Sequence, residues 1–150
     1  MKIKYFVLAI IAALFLSSYI NKEENLKPGE KAPYILRADG TKENLEEGKY
    51  TLVNFWSVKK PQSRVLNKKY AEYFAIHHPD SIEFLSISLD EDISLANEVR
   101  NYDEADCAGK YMDASQLASR VYKDFKVNET PNSFLIGPDG RIVDKKMIKI

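Results

Sequence analysis

Cys107 is the only cysteine in this sequence of 150 residues, and it limits the sulfur chemistry open to the chain. A protein that cycles a disulfide within itself needs a second thiol to resolve the mixed disulfide, and this chain cannot supply one. Asp103, Glu104 and Asp106 come just before Cys107, and their charges are expected to raise the pKa of its thiol. We interpret Cys107 as a partly buried structural thiol. The alternative is a single-cysteine redox role, through a mixed disulfide with a partner protein.

A basic loop offers a second kind of chemistry. Lys59 and Lys60 stand directly before a helix predicted to begin near Pro61, and Ser63 lies in its first turn. The two ammonium groups, the hydroxyl and the N–H groups at a helix N-terminus could together hold an anion such as a carboxylate or sulfate. The alternative is that the lysines are only solvated, as most runs of charge are.

Two other groups of ionisable side chains favour structural roles. His77 and His78 end the same predicted helix, where a histidine complements the helix dipole, and adjacent helical residues point in different directions. The run Asp90-Glu91-Asp92 lacks the spaced oxygens and the glycine of a calcium loop, and is interpreted as capping the next helix. The sequence therefore predicts neither a metal site nor a cofactor.

The elements that must position these residues alternate between strand and helix. Strands are predicted from runs of aromatic and β-branched residues, and helices from apolar residues three or four apart. The predicted strands are Tyr34–Arg37, Tyr50–Trp56, Ile82–Leu89, Asn132–Ile136 and Arg141–Asp144, and the predicted helices are Gln62–His77, Ile93–Asn101 and Ser115–Phe125. Asp39-Gly40 and the Gly-Pro-Asp-Gly run at 137–140 predict hairpin turns. This order implies a mixed sheet with helices on both faces.

The N-terminus has the pattern of an export signal. Lys2 and Lys4 precede an uncharged, mostly apolar run, Tyr5–Ile20. As a helix this run spans about 24 Å, less than the roughly 30 Å of a hydrocarbon core, which favours a signal peptide over a membrane span. Leu16 stands where cleavage after Ser18 would need a small residue, so an uncleaved membrane anchor is the alternative. We expect export to the periplasm or cell envelope.

The layout is therefore a signal or anchor at residues 1–20, a polar linker at 21–28 and one domain at 29–150. A chain of this length is enough for one ordinary domain. Lys and Arg number 22, as do Asp and Glu, so no net field attracts nucleic acid. Membrane contact is expected only through the N-terminal segment, if it is uncleaved.

Three segments resemble the thioredoxin-like fold, and more closely its exported thiol-disulfide oxidoreductases related to TlpA and ResA. They are Gly29-Glu30-Lys31-Ala32-Pro33, then Leu52-Val53-Asn54-Phe55-Trp56, then Thr130-Pro131-Asn132-Ser133-Phe134-Leu135-Ile136 with Gly140-Arg141-Ile142-Val143. The resemblance implies a thioredoxin-like α/β fold, with a central mixed β-sheet flanked by helices and an N-terminal β-hairpin extension. It also implies a further C-terminal helix, which we expect to be missing because the sequence stops at Ile150. Sheet surface left uncovered in this way would favour a partner or a second subunit.

The sequence departs from this family at the redox site. Counted from Trp56 in the family's W-x-x-x-C-x-x-C motif, the two cysteine positions fall on Lys60 and Ser63. An ammonium and a hydroxyl cannot form a sulfur–sulfur bond, so dithiol exchange at this loop is excluded and the peroxidase activity of related peroxiredoxins is disfavoured. The resemblance also implies that Thr130-Pro131 is the family's cis-proline loop, which offers backbone groups to an extended peptide. A cis bond kept for folding alone is the alternative.

We therefore interpret the chain as an exported, non-catalytic binding or accessory module. Its candidate surface comprises Trp56, Lys59, Lys60, Pro61, Ser63, Thr130 and Pro131. The expected partner is an extended peptide or another protein, and a homo-oligomer is also compatible with the pattern. The alternatives are redox exchange through Cys107 and a purely structural, tethered domain.

Overall fold

The computed structural model describes residues 26–36, 41–43, 45, 47–105, 110–112, 118–127 and 132–145. The strands are β1 (Tyr50–Trp56), β2 (Ile82–Ser88), β3 (Lys110–Met112), β4 (Asn132–Ile136) and β5 (Ile142–Lys145), and the helices are α1 (Pro61–His77), α2 (Ile93–Tyr102) and α3 (Ala118–Asp124). The strands form one sheet in the order β3-β2-β1-β4-β5. β1 and β3 run parallel to β2, while β4 runs antiparallel to β1 and β5. The mixed sheet agrees with the sequence prediction.

Most element boundaries agree with the predictions to within one residue. β3 was not predicted as a strand, and the predicted start of the third helix at Ser115 lies outside the described residues. The predicted N-terminal hairpin is represented by one antiparallel bridge between Leu36 and Lys42. Its turn, Asp39-Gly40, also lies outside them.

β1 is the central strand and is buried on both faces. Val53 and Phe55 point to one face, where they join a core with Val121 and Phe125 of the α3 region and with Phe134 of β4. Phe55 packs edge-on against Phe134, with ring centroids 6.0 Å apart. Phe125 packs against both rings, so the three phenylalanines form one aromatic cluster on this face.

The other face of β1 packs against α1. Leu52 contacts a smaller core made by Tyr70, Ala71 and Phe74 of α1 and Phe84 of β2. Side chains alternate between the faces of a strand, so odd-numbered residues of β1 meet the α3 region and even-numbered ones meet α1. The two helices therefore lie on opposite faces of the sheet, as expected for this fold class.

The ends of α1 and α2 match their sequence signals. α1 begins at Pro61 and ends at His77, and His78 is the C-cap in the left-handed region, with its N–H donating to the Phe74 carbonyl. At the start of α2, the Asp92 carboxylate accepts a hydrogen bond from the Leu95 N–H at 3.0 Å. The capping roles predicted for the histidine pair and for Asp92 are confirmed.

The residues before β1 pack onto the last hairpin. The Gly29 N–H donates to the Ile142 carbonyl at 2.7 Å, and the Ile142 N–H donates to the Glu30 carbonyl at 2.9 Å. Leu26, which falls within the predicted linker, is buried in the larger core. The apolar side chain of Leu26 therefore packs against the core of the domain.

The predicted export segment, Tyr5–Ile20, lies outside the described residues. Among the helices of the described ranges, none is both long and apolar enough to span a membrane.

Candidate functional site

The loop between β1 and α1 is a tight turn held by backbone hydrogen bonds. The Lys60 N–H donates to the Ser57 carbonyl at 3.0 Å, and the Leu89 N–H donates to the Trp56 carbonyl at 2.9 Å. Lys60 is the N-cap residue of α1, and its side chain makes no capping hydrogen bond. Trp56 is only 1% exposed, so it supports the loop from beneath. The loop therefore runs directly from the central strand into the longest described helix.

Ser63 fastens this turn to the helix. Its side chain is fully buried. The hydroxyl accepts a hydrogen bond from the Ser57 N–H at 3.1 Å, and it can donate to the Lys60 carbonyl at 2.7 Å. The Ser63 hydroxyl is therefore engaged by the loop backbone and does not face an external anion, which corrects the role that its position in the first helical turn suggested.

Asp90 holds the loop from the neighbouring strand. It follows β2, is 9% exposed, and accepts hydrogen bonds from the Ser57 hydroxyl at 2.8 Å and the Val58 N–H at 2.8 Å. The oxygen that accepts from Val58 also accepts from the Ser88 hydroxyl at 2.9 Å. Asp90 was predicted to belong to a helix-capping motif with Asp92, and for Asp90 this was wrong. The loops after adjacent parallel strands meet at one edge of the sheet, which brings Asp90 beneath the turn.

A buried polar network ties α1 to the sheet behind this loop. The Asn67 side-chain oxygen of α1 accepts hydrogen bonds from the Asn54 amide at 3.0 Å and from the Ser86 hydroxyl at 2.7 Å. The Ser133 hydroxyl lies 2.9 Å from the Asn54 side-chain oxygen and 3.3 Å from the Tyr70 hydroxyl. These side chains come from three strands and one helix. They therefore fix the position of α1, and with it the position of the loop.

An ion pair joins the first turn of α1 to the end of α2. The Arg64 guanidinium donates two hydrogen bonds to the Asp103 carboxylate, at 2.9 Å from Nε and 2.7 Å from Nη2. The hydrogen bond to Asp103 raises the pKa of Arg64 above its ordinary value, and the charge of that carboxylate raises it further. Two parallel bonds of this kind set the orientation of both side chains. Arg64 is therefore held against α2 rather than extended towards the loop.

Lys59 and Lys60 are the exposed part of the site. No salt bridge joins either ammonium to a carboxylate within the described ranges, unlike Arg64 and Lys68 of α1. Pro61 is exposed beside them. Of the predicted surface, the structure thus places three residues together at the protein surface, with Trp56 buried beneath them.

Cys107, Thr130 and Pro131 lie outside the described residues, so their predicted roles stay predictions. Within the part of the chain that the structure describes, no group of three or more histidine, cysteine, aspartate or glutamate side chains could hold a metal ion.

A family model described as thioredoxin-like matches residues 48–142, which is more than half of the chain. The chain belongs to the thioredoxin-like family. Its match includes the loop, the strands and helices of both cores, and the last hairpin up to the start of β5. The resemblance inferred from the three sequence segments is confirmed.

The curated relatives place the chain among thiol-disulfide oxidoreductases of this family. It is 30% identical over 136 residues to the thiol-disulfide oxidoreductase ResA of Bacillus cereus, which covers 85% of this chain and 73% of that protein. It is 28% identical over 146 residues to ResA of another Bacillus cereus strain, with 91% of this chain and 79% of that protein covered. The similarity therefore extends over most of both chains.

Solved structures agree with this fold. A thioredoxin-like protein from Parabacteroides distasonis is 29% identical, with a TM-score of 0.69, and the match covers 83% of this chain and 90% of that one. The thioredoxin domain of a thiol-disulfide oxidoreductase from Bacteroides vulgatus has a TM-score of 0.68 at 20% identity, covering 83% of this chain and 91% of that domain. The second likeness is one of fold alone.

The chemistry available at the loop is thus that of a thioredoxin-like turn without sulfur. Lys60 and Ser63 occupy the positions that the family motif gives to cysteines. The Ser63 hydroxyl accepts a hydrogen bond from the Ser57 N–H of the loop, and Lys60 is exposed. The loop can present positive charge and an apolar proline, and it cannot form a disulfide.

Proposed function

We propose that this chain is an exported, non-catalytic binding or accessory module of the thiol-disulfide oxidoreductase family. The observation that carries the proposal is the state of the loop between β1 and α1. Its turn is ordered by Ser63 and Asp90, while the two cysteine positions of the family carry an ammonium and a hydroxyl. A loop that keeps its shape after losing its reactive groups can still recognise a partner by contact.

The proposed binding surface keeps the exposed residues of the one set out from the sequence, which are Lys59, Lys60 and Pro61. Thr130 and Pro131 would complete it, by offering backbone groups to an extended peptide of a partner protein. The proposal of export rests on the basic and apolar pattern of the first residues, and on the similarity to ResA over most of the chain. In this account the chain acts in the periplasm or cell envelope.

The proposal is tested by a disulfide-exchange assay with insulin as substrate and dithiothreitol as reductant. We expect the wild type to give no rate above the background of dithiothreitol alone, and Cys107→Ser to behave identically. The matched positive control is the double variant Lys60→Cys/Ser63→Cys, which restores both sulfurs in the ordered loop and should gain activity.

Wild-type activity that disappears in Cys107→Ser would overturn the proposal and make the chain a single-cysteine redox protein. The control double variant shows that the assay detects a thioredoxin-like dithiol when one is present. Its folding can be checked against the wild type by circular dichroism.

A further inference from the structure

A shallow cleft lies between the first two turns of α1 and the end of α2. Pro61, Arg64, Val65, Lys68 and Asp103 line it, and its volume is about 160 Å³. The Arg64–Asp103 ion pair lies within this lining, where its two hydrogen bonds hold the helices together. Pro61 and Val65 stand one helical turn apart and form the apolar part of the lining. We call this surface the α1–α2 cleft.

Two apolar side chains of the cleft lining are exposed. Val65 is 56% exposed. Pro61 is exposed as well. Single exposed apolar residues are normal on a protein surface, whereas a group beside one depression is typical of an interaction site.

The charges around the cleft are uneven. Asp103 neutralises Arg64, with 2.7 Å between the paired atoms. Lys68 lies 3.7 Å from Glu72 and 3.9 Å from Glu104. The two cations that line the cleft, both on α1, are therefore balanced by carboxylates of the protein itself.

Lys59 and Lys60 are exposed and directly precede Pro61, which lines the cleft. No carboxylate of the described residues forms a salt bridge with either of them. The loop beside Pro61 therefore carries positive charge that no carboxylate of the described residues pairs with.

We propose that the α1–α2 cleft docks an acidic peptide segment of a partner protein. One apolar side chain of that segment packs between Pro61 and Val65, and flanking carboxylates pair with the ammoniums of Lys59 and Lys60. Charge complementarity selects this occupant, because a basic or neutral segment would leave both lysines unpaired or repelled. The inference rests on the proposed function as a binding module, and it adds the chemical class of the partner and a docking surface that extends beyond the loop along α1.

The test measures fluorescence anisotropy of two labelled peptides titrated with the full chain. In the first peptide a leucine is flanked by glutamates, and in the second the glutamates are replaced by lysines. We expect the acidic peptide to bind and the basic peptide not to bind. Raising the salt from 0.1 M to 1 M should weaken the binding, because the Debye length falls from about 10 Å to about 3 Å.

Surface variants then locate the site. Lys59→Glu/Lys60→Glu should weaken binding of the acidic peptide by about tenfold or more, which corresponds to about 1.4 kcal/mol. Val65→Ser should also weaken it, since the leucine loses an apolar contact. Lys123→Glu is the matched control, because Lys123 is exposed on α3 at the opposite face of the sheet, and it should leave the affinity unchanged. All three variants change exposed side chains, and circular dichroism verifies their folding.

Three results would overturn the inference: no binding of the acidic peptide, equal binding of both peptides, or binding that the cleft variants do not change. Self-association in sedimentation experiments that is lost in Lys59→Glu/Lys60→Glu would assign the cleft to a second copy of the chain instead. The proposed function is judged separately, by the insulin assay. A chain that neither binds the acidic peptide nor exchanges disulfides overturns only the acidic class of partner and leaves the non-catalytic module standing.

Discussion

Replacing Asp90 should destabilise the loop between β1 and α1, where the family carries its redox site. The Asp90 carboxylate accepts hydrogen bonds from the Ser57 hydroxyl, the Val58 N–H and the Ser88 hydroxyl. Each hydrogen bond to a charged group contributes about 1.5–3 kcal/mol. Two effects reduce this loss. Ser57 is half-buried, so its hydroxyl can hydrogen-bond to water instead, and removing Asp90 also removes the cost of burying a charge. We therefore expect Asp90→Ala to lower the free energy of unfolding by about 2–3 kcal/mol.

Urea unfolding followed by tryptophan fluorescence measures this change. Trp56 is the single tryptophan, and it lies buried directly beneath the loop. Asp90→Asn keeps the shape of the side chain and can still accept a hydrogen bond from the Val58 N–H. It should therefore lower the free energy of unfolding by only about 1 kcal/mol. Glu91→Ala is the matched control, because Glu91 is exposed, and it should stay within about 0.5 kcal/mol of the wild type. If Asp90→Ala were as stable as this control, the role assigned to Asp90 would be refuted.

Three further changes test other parts of the account. Ser63→Ala should lower the free energy of unfolding by about 2 kcal/mol, because it leaves the part-buried Ser57 N–H without an acceptor. A urea midpoint equal to that of the wild type would show that Ser63 does not hold the loop. A double-mutant cycle between Arg64→Ala and Asp103→Ala should give a coupling of about 1 kcal/mol, as expected for a partly buried bidentate pair, and a coupling near zero would contradict the ion pair. Phe55→Ala should cost about 3–5 kcal/mol in the larger core, whereas Ile76→Ala, at a side chain that is 73% exposed, should change thermal stability little.

The sequence predicts the framework of this fold well, because the framework follows from local patterns. The apolar run of Tyr50–Trp56 and the proline at position 61 are sufficient to place a strand, a loop and a helix in order. Each signal comes from neighbouring residues, so no knowledge of the folded chain is needed. The strand β3 has only three residues, Lys110–Met112, which is too short for a pattern to be visible.

The contacts that shape the candidate site could not be predicted in the same way. Asp90 reaches the loop from 32 residues away, and Asp103 meets Arg64 from 39 residues away. Both contacts depend on which strands are neighbours and on how α1 and α2 lie across the sheet. The burial of Ser63 likewise depends on how α1 is rotated against the sheet, although its place in the first turn was correctly predicted.

The family resemblance and the residue chemistry also answer different questions. The family model, ResA and the solved structures establish the fold and the family to which the chain belongs. Membership of the family does not change the fact that Lys60 and Ser63, at the two cysteine positions of its motif, carry no sulfur. Function must be argued from the site, because one fold carries many activities. For this chain the proposed function therefore rests on the residues of the loop between β1 and α1.

The reaction rate of Cys107 with a thiol-labelling reagent, measured across pH in the folded full chain, tests the central claim most directly. Cys107 carries the only thiol that could take part in thiol-disulfide chemistry, since the chain has a single cysteine. A non-catalytic module predicts slow labelling that becomes fast only when the protein is unfolded. Fast labelling of the folded chain, with a thiolate pKa well below about 8.5, would contradict the account and assign redox chemistry to Cys107.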